Sequence, residues 1–142
     1  MKKIIIVRHG QTNANAEGKT QGQIDTDLNN IGLDQAKKAG QYIRANYSIN
    51  EAWVSDLKRT QQTANQITKN FKTSELIREM SFGKWENHLF ENIISEYPKL
   101  VKEYAEQDVN LTLKLWNIFD KKLDEVLWDA DHPIVAQILY IY

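Results

Sequence analysis

The sequence predicts an α/β fold, a three-layer sandwich around a mostly parallel central sheet, and three observations carry this prediction. Short apolar segments alternate along the chain with longer amphipathic segments, the pattern of strands joined by crossover helices. Long polar stretches follow two of these apolar segments. The length of 142 residues suits one hydrophobic core, so we expect a single domain over residues 1–142.

Each element has its own signal. The first apolar run, "IIIV", is continuous, which is typical of a strand buried on both faces. The predicted strands cover residues 3–8, 49–55, 74–77 and 134–142. The predicted helices cover residues 31–47, 58–70, 91–107 with an interruption at Pro98, and 111–127. Asn29 or Asn30 would cap the first helix, and two polar loops cover residues 9–29 and 78–90.

The composition excludes several classes of function. The net charge of -1 and pI near 6.3 give no basic field for nucleic acid or an anionic membrane. No stretch has the roughly 18 apolar residues of a membrane span. The chain has no cysteine, which excludes disulfides and cysteine-bound zinc and suits a cytoplasmic protein.

Polar residues just beyond the strand ends are the candidates for chemistry, because ligands of open α/β sheets bind there. Arg8, His9 and Gly10 follow the first strand; Ser55, Asp56, Lys58 and Arg59 follow the second; Arg78 and Glu79 follow the third. Two arginines and a histidine suit a phosphate dianion. The histidine could act as nucleophile and the glutamate as proton donor. Taken singly, each residue is more typical of a solvated turn or helix surface.

Four motifs that follow one another along the chain favour a functional site over a solvated surface. The stretch "RHGQTNAN" resembles the RHGxTxxN signature of the histidine phosphatase superfamily, the phosphoglycerate-mutase-like proteins. "QGQIDTDLNNIGLDQA", "VSDLKRTQQTA" and "LIREMSFGKWEN" resemble three further segments of that family. In the last of them, Asn87 stands where glycine is usual.

The resemblance implies a role for each matching residue. His9 would become a phosphohistidine, Arg8 and Arg59 would clamp the phosphoryl group, and Glu79 would protonate the leaving group. The implied substrate-binding residues are Gly10, Thr12, Asn15, Gln21 and Gly22. The resemblance implies a small phosphorylated metabolite as substrate, with no metal ion and no organic cofactor.

Three functions remain open at this point. The segment "REMSFGKWENHLFENI" resembles the phosphatase branch, so a phosphomonoester hydrolase is the leading interpretation. The first alternative is phosphoglycerate mutase-type phosphoryl transfer. The second is a non-catalytic phosphate-binding remnant.

The C-terminus departs from the family. A second pocket histidine would follow the last strand, but the chain ends at "ILYIY", and His132 precedes that strand. We therefore expect a C-terminally incomplete domain that lacks its last elements and is weak or inactive as an enzyme. Losing one preorganised donor typically costs about 10²–10³ in rate. We also expect the uncovered strand over 134–142 to promote homo-oligomers.

Overall fold

The computed structural model describes residues 4–103, 105–106 and 136–138 of the chain. Its α-helices are α1 (Asn13–Ala16), α2 (Asn30–Asn46), α3 (Lys58–Ile67) and α4 (Phe90–Glu96), followed by a helix over 98–103 and 105–106. Its strands are β1 (Glu51–Ser55), β2 (Lys72–Ser74) and β3 (Ala136–Ile138). Short 3₁₀ turns cover Glu75–Ile77 and Gly83–Trp85.

The sheet is parallel, as predicted. β1 lies in the centre, with β2 on one edge and β3 on the other. Trp53 is opposite Lys72 in β2 and Ile138 in β3. Because parallel strands carry their carboxyl ends to the same edge, Ser55 and Ser74 bring the loops that follow them to one side of the sheet.

The core forms where α2 and α3 pack against β1. Its buried members are Ile43, Val54, Ala64 and Ile67. The cap of α2 is Asn29, whose side chain accepts a hydrogen bond from Gly32 N at 2.8 Å. α3 ends at Ile67, three residues before its predicted end at residue 70, because Thr68 turns the backbone to an extended conformation.

The prediction of a first strand over residues 3–8 is wrong for the residues that the structure describes. Residues 4–8 form no regular strand, and Ile6 is 58% exposed rather than buried. Ile5 and Val7 still pack against the core, so the segment is extended with alternating sides. No strand of the described sheet pairs with this segment, so its extended backbone lacks the ladder of hydrogen bonds that defines a strand.

The predicted strand over 74–77 is also wrong in position. β2 ends at Ser74, and the next three residues form a 3₁₀ turn in which Leu76 is 95% exposed. The Ser74 hydroxyl accepts a hydrogen bond from Leu76 N at 3.2 Å. A serine that caps the following turn ends the strand, and this local bond competes with strand pairing.

Several predictions concern residues outside the described part of the chain. They are the helix over 111–127, His132 and most of the strand over 134–142, of which only 136–138 are described. Self-association through that strand therefore stays a prediction. Within the described residues, no helix has both the length and the apolar character needed to cross a membrane.

Candidate active site

A cleft of about 410 Å³ opens where the two polar loops meet beyond β1. It is lined by Arg8, His9, Asn15, Gly18, Lys19, Thr20, Gln21, Gly22, Arg59, Glu79, Met80, Phe82 and Phe90. The lining contains every residue to which the family resemblance assigned a role except Gly10 and Thr12. Four of the other candidates at the strand ends lie outside it: Ser55, Asp56, Lys58 and Arg78. Residues from positions 8 to 79 of the sequence are brought together in one concave surface.

His9 is buried and has a defined tautomer. Its side chain is 8% exposed, and Nδ1 lies 2.6 Å from the carbonyl oxygen of Gly10. A carbonyl oxygen can only accept a hydrogen bond, so Nδ1 carries the proton. Nε2 of the neutral ring then has a free electron pair, which is the state that a nucleophile needs.

The surroundings keep the His9 ring neutral. The pKa of His9 is lowered from 6.5 to about 4, mainly by burial and also by the positive charges of Arg59 and Arg8, while the hydrogen bond to Gly10 acts in the opposite direction. Burial is the larger cause because charged imidazolium loses its hydration in the cleft wall.

The packing against α2 leaves room only for glycine at position 10. A Cβ at this position would lie 2.2 Å from the backbone oxygen of Gly32. The Gly10 N–H donates to the hydroxyl of Thr63 at 3.1 Å, which ties the end of the first segment to α3. Gly10 thus fixes the position of the neighbouring His9 backbone.

Thr12 acts beneath the cleft surface. Its hydroxyl accepts from Asn15 N at 3.1 Å and donates to Oε1 of Gln21 at 2.7 Å. Thr26 donates to the same Gln21 oxygen at 2.7 Å, and Thr12 N donates to Oδ1 of Asn15 at 3.0 Å. Because these bonds use the side-chain oxygens, the amide nitrogens of Asn15 and Gln21 are left to donate to a ligand.

Arg59 is the most deeply buried cation of the cleft. It is 2% exposed, and its two terminal nitrogens donate to the carbonyls of Ile24 and Gly22 at 2.7 Å each. Its Nε is a buried donor without a hydrogen-bond partner in the described part of the chain. Burial lowers the pKa of Arg59, while the charges of Glu79, Asp25 and Glu86 oppose that change. A guanidinium in this state is suited to an anionic ligand.

Arg78 forms an ion pair with Asp56 outside the cleft. Its Nε donates to Oδ1 of Asp56 at 2.6 Å, a terminal nitrogen donates to the other oxygen, and Glu75 lies 3.6 Å away. Arg78 does not line the cleft. The pair instead joins the end of β1 to the residue before Glu79, so it orients the start of the second loop.

The second polar loop is bonded to the first by its backbone. Thr20 N donates to His88 O at 3.0 Å, Asn87 N donates to Thr20 O at 2.8 Å, and Phe90 N donates to Gly18 O at 3.0 Å. Asn87 has a φ of 64°, the left-handed conformation that glycine and asparagine tolerate best. Asparagine can therefore occupy this position, at which glycine is usual in the motif that the segment resembles.

Sequence reasoning missed part of the lining. Lys19 adds a cation, paired with Glu17 at 2.7 Å, and Met80, Phe82 and Phe90 add apolar surface. The only signal for them was their place in loops already assigned to the site. Among the residues that the structure describes, no three histidine or acidic side chains are grouped as a metal site.

Comparison with known proteins gives a consistent result. A family model described as the histidine phosphatase superfamily (branch 1) matches residues 4–114. Over 111 residues the chain is 33% identical to phosphoserine phosphatase 1 of Hydrogenobacter thermophilus, a match that covers 75% of this chain and 52% of that protein. Over 116 residues it is 36% identical to a probable phosphoglycerate mutase of Yersinia pestis, covering 79% and 52%.

A solved structure resembles about two thirds of the chain. The phosphoserine phosphatase of Entamoeba histolytica, in complex with 3-phosphoglyceric acid, has a TM-score of 0.60 to this chain at 39% identity. The match covers 66% of this chain and 47% of that one. The chain thus spans about half the length of these relatives.

Proposed function

Because the chain belongs to the histidine phosphatase superfamily (branch 1), we propose that it is a phosphomonoester hydrolase with His9 as nucleophile. The observation that carries the proposal is the pairing of two groups in one cleft. One is a buried, neutral imidazole whose Nδ1 is held by Gly10 O; the other is a buried guanidinium whose Nε has no partner among the described residues. One supplies an electron pair, and the other attracts the phosphate that would receive it.

The reaction has two steps. In the first, Nε2 of His9 forms a bond to phosphorus while the bond from phosphorus to the ester oxygen breaks. Glu79, as a carboxylic acid, gives its proton to the leaving oxygen. In the second, water attacks the phosphohistidine, the phosphorus–nitrogen bond breaks, and the proton of the water returns to Glu79. The products are an alcohol and inorganic phosphate.

The other cleft residues would bind the phosphoryl group. Arg59 and Arg8 carry positive charge, and the amides of Asn15 and Gln21 can donate hydrogen bonds. Charge-assisted bonds of this kind stabilise the transferring group most strongly when it is most negative. The cleft volume of about 410 Å³ suits a small phosphorylated metabolite.

Phosphoryl transfer to a second hydroxyl is the alternative. The identity to a probable phosphoglycerate mutase favours it. In that reaction the phosphohistidine would return its phosphoryl group to a bound hydroxy acid instead of to water. Phosphorus NMR of the products distinguishes the two, because a mutase yields an isomeric ester and a hydrolase yields inorganic phosphate.

The proposal is tested with 4-nitrophenyl phosphate and the full 142-residue chain. We expect the wild type to release nitrophenol and His9→Ala to lose that activity. His88→Ala is the matched control, since this exposed histidine lies outside the cleft. If a folded wild-type chain gives no turnover but binds inorganic phosphate, the chain is a phosphate binder rather than a hydrolase. If His9→Ala retains turnover, the assignment of the nucleophile is wrong.

A further inference from the structure

Glu86 is a carboxylate that the reaction described above does not use. It lies in the second polar loop, half-buried, seven residues after Glu79. Its Oε1 accepts hydrogen bonds from Gln23 N at 3.0 Å, from Phe82 N at 3.2 Å and from the Ser81 hydroxyl at 3.3 Å. One oxygen atom thus joins the backbone of both loops that form the cleft.

The first loop is shaped to receive this carboxylate. A Cβ on Gly22 would lie 2.3 Å from Oε1 of Glu86, so a larger residue at this position would displace the carboxylate from where it now lies. Gly22 also has a φ of 52°, which favours glycine for a second reason. The Gly22 carbonyl in turn accepts a hydrogen bond from Arg59 at 2.7 Å. Gly22 therefore lies between Glu86 on one side and Arg59, the arginine of the proposed phosphate site, on the other.

The same contacts lead to the proposed proton donor. Gln23, whose N–H is held by Glu86, donates from Nε2 to the carbonyl oxygen of Glu79 at 3.1 Å. Phe82, the other backbone donor to Glu86, is three residues after Glu79. The backbone around Glu79 is thus held from two directions, and both connections converge on one carboxylate oxygen.

We propose that Glu86 is a positioning residue that fixes Glu79 relative to Arg59. This rests on the proposed function of Glu79 as the proton donor. Removing the acceptor would leave the nucleophile in place but would displace the acid. A displaced acid matters most for an alkyl ester, whose leaving oxygen needs a proton, and little for 4-nitrophenyl phosphate, whose leaving group departs without one.

The test compares Glu86→Ala with Glu86→Gln on both substrates. For glycerol phosphate we expect Glu86→Ala to lower kcat by about 10²-fold, the lower end for a general acid. For 4-nitrophenyl phosphate we expect less than about threefold. Glu86→Gln keeps an oxygen at the Oε1 position and should restore most of the activity on glycerol phosphate. Glu91→Ala, an exposed glutamate in the first turn of α4, is the matched control.

Two kinetic results would overturn the proposal. One is an equal loss on both substrates in Glu86→Ala, since a general weakening of the fold would give that result. The other is a Glu86→Gln variant as impaired as Glu86→Ala, which would show that the charge and not the acceptor matters.

Hydrogen exchange separates this proposal from the proposed function. If the wild type hydrolyses neither ester, the hydrolase assignment fails, and the amide protons of Gln23 and Phe82 decide the structural part. Protection in the wild type and Glu86→Gln, with its loss in Glu86→Ala, would support the bridge. No protection in the wild type would contradict it.

Discussion

Arg59 and Arg78 both follow strands of the same sheet, yet they have different environments. Arg59 is buried in the cleft wall, and its Nε has no hydrogen-bond partner among the described residues. The Nε of Arg78 donates to Asp56, and its side chain is 27% exposed. A buried charged donor without a partner costs about 1–3 kcal/mol or more, and the residue that bears this cost lines the cleft. A carboxylate of the chain already neutralises Arg78, so it has little to offer a ligand.

The largest effect expected from this difference is on catalysis. Arg59→Lys keeps the charge but loses the planar fork, so we expect kcat/KM to fall by about 10²-fold or more. Arg78→Lys should change kcat/KM by much less, because the affected contact is the surface pair with Asp56. Steady-state kinetics on 4-nitrophenyl phosphate, with thermal unfolding to confirm the fold, checks both variants. Similar losses in the two would remove the distinction between them.

The second effect is on stability and concerns the histidine beside Arg59. The folded pKa of His9 is about 4, against 6.5 for the ordinary group. The unfolded chain therefore binds the proton more readily, and the free energy of unfolding falls as pH drops from 6.5 toward 4. The loss amounts to roughly 3 kcal/mol for this one group. Urea unfolding across that range should show a weaker pH dependence in His9→Gln; identical slopes would contradict the burial of a neutral ring.

A smaller effect is expected at Asn87, on the second loop. Its φ of 64° is strained for residues other than glycine and asparagine. We expect Asn87→Ala to lower the free energy of unfolding by about 1 kcal/mol and Asn87→Gly to leave it nearly unchanged. Chemical denaturation of both variants measures this directly. A stable Asn87→Ala would mean that the backbone here is not held in the left-handed region.

The smallest effect is expected from the surface pair. The hydrogen bond from Arg78 holds the pKa of Asp56 below its ordinary value. The stabilisation is therefore complete above about pH 3.9 and is lost as pH falls through the lower folded pKa. Asp56→Asn should be slightly less stable than the wild type near neutral pH, and the difference should shrink at the acid end. A difference that grows on acidification would contradict this sign.

Much of the fold could be predicted from sequence because it depends on local signals, whereas the cleft residues were predicted from the strand ends and from the family resemblance. β1, α2 with its Asn29 cap, and the start of α3 at Lys58 all follow from periodicity and capping. The segment over 4–8 could not, since an apolar run does not show whether a neighbouring strand is available. The end of β2 could not be predicted either, because the Ser74 hydroxyl accepts a hydrogen bond that favours a turn.

The roles of the two arginines also needed the structure. Each is an arginine after a strand, and what separates them is a carboxylate 22 residues distant from Arg78 in the chain. In the same way, the backbone of Gly32 is what a Cβ at position 10 would meet, and the carboxylate of Glu86 is what a Cβ at position 22 would meet. Contacts between distant residues leave no periodic pattern, so sequence alone could identify the candidates but not their partners.

Trapping the phosphorylated protein tests the central claim most directly. The wild type, His9→Ala and His88→Ala would be mixed with 4-nitrophenyl phosphate, quenched in alkali within milliseconds and measured by intact mass spectrometry. We predict one acid-labile, alkali-stable phosphoryl group on the wild type and on His88→Ala, and none on His9→Ala. Hydrolysis by the wild type without a trapped phosphoryl group, or a phosphoryl group that persists in His9→Ala, would contradict a phosphohistidine at His9.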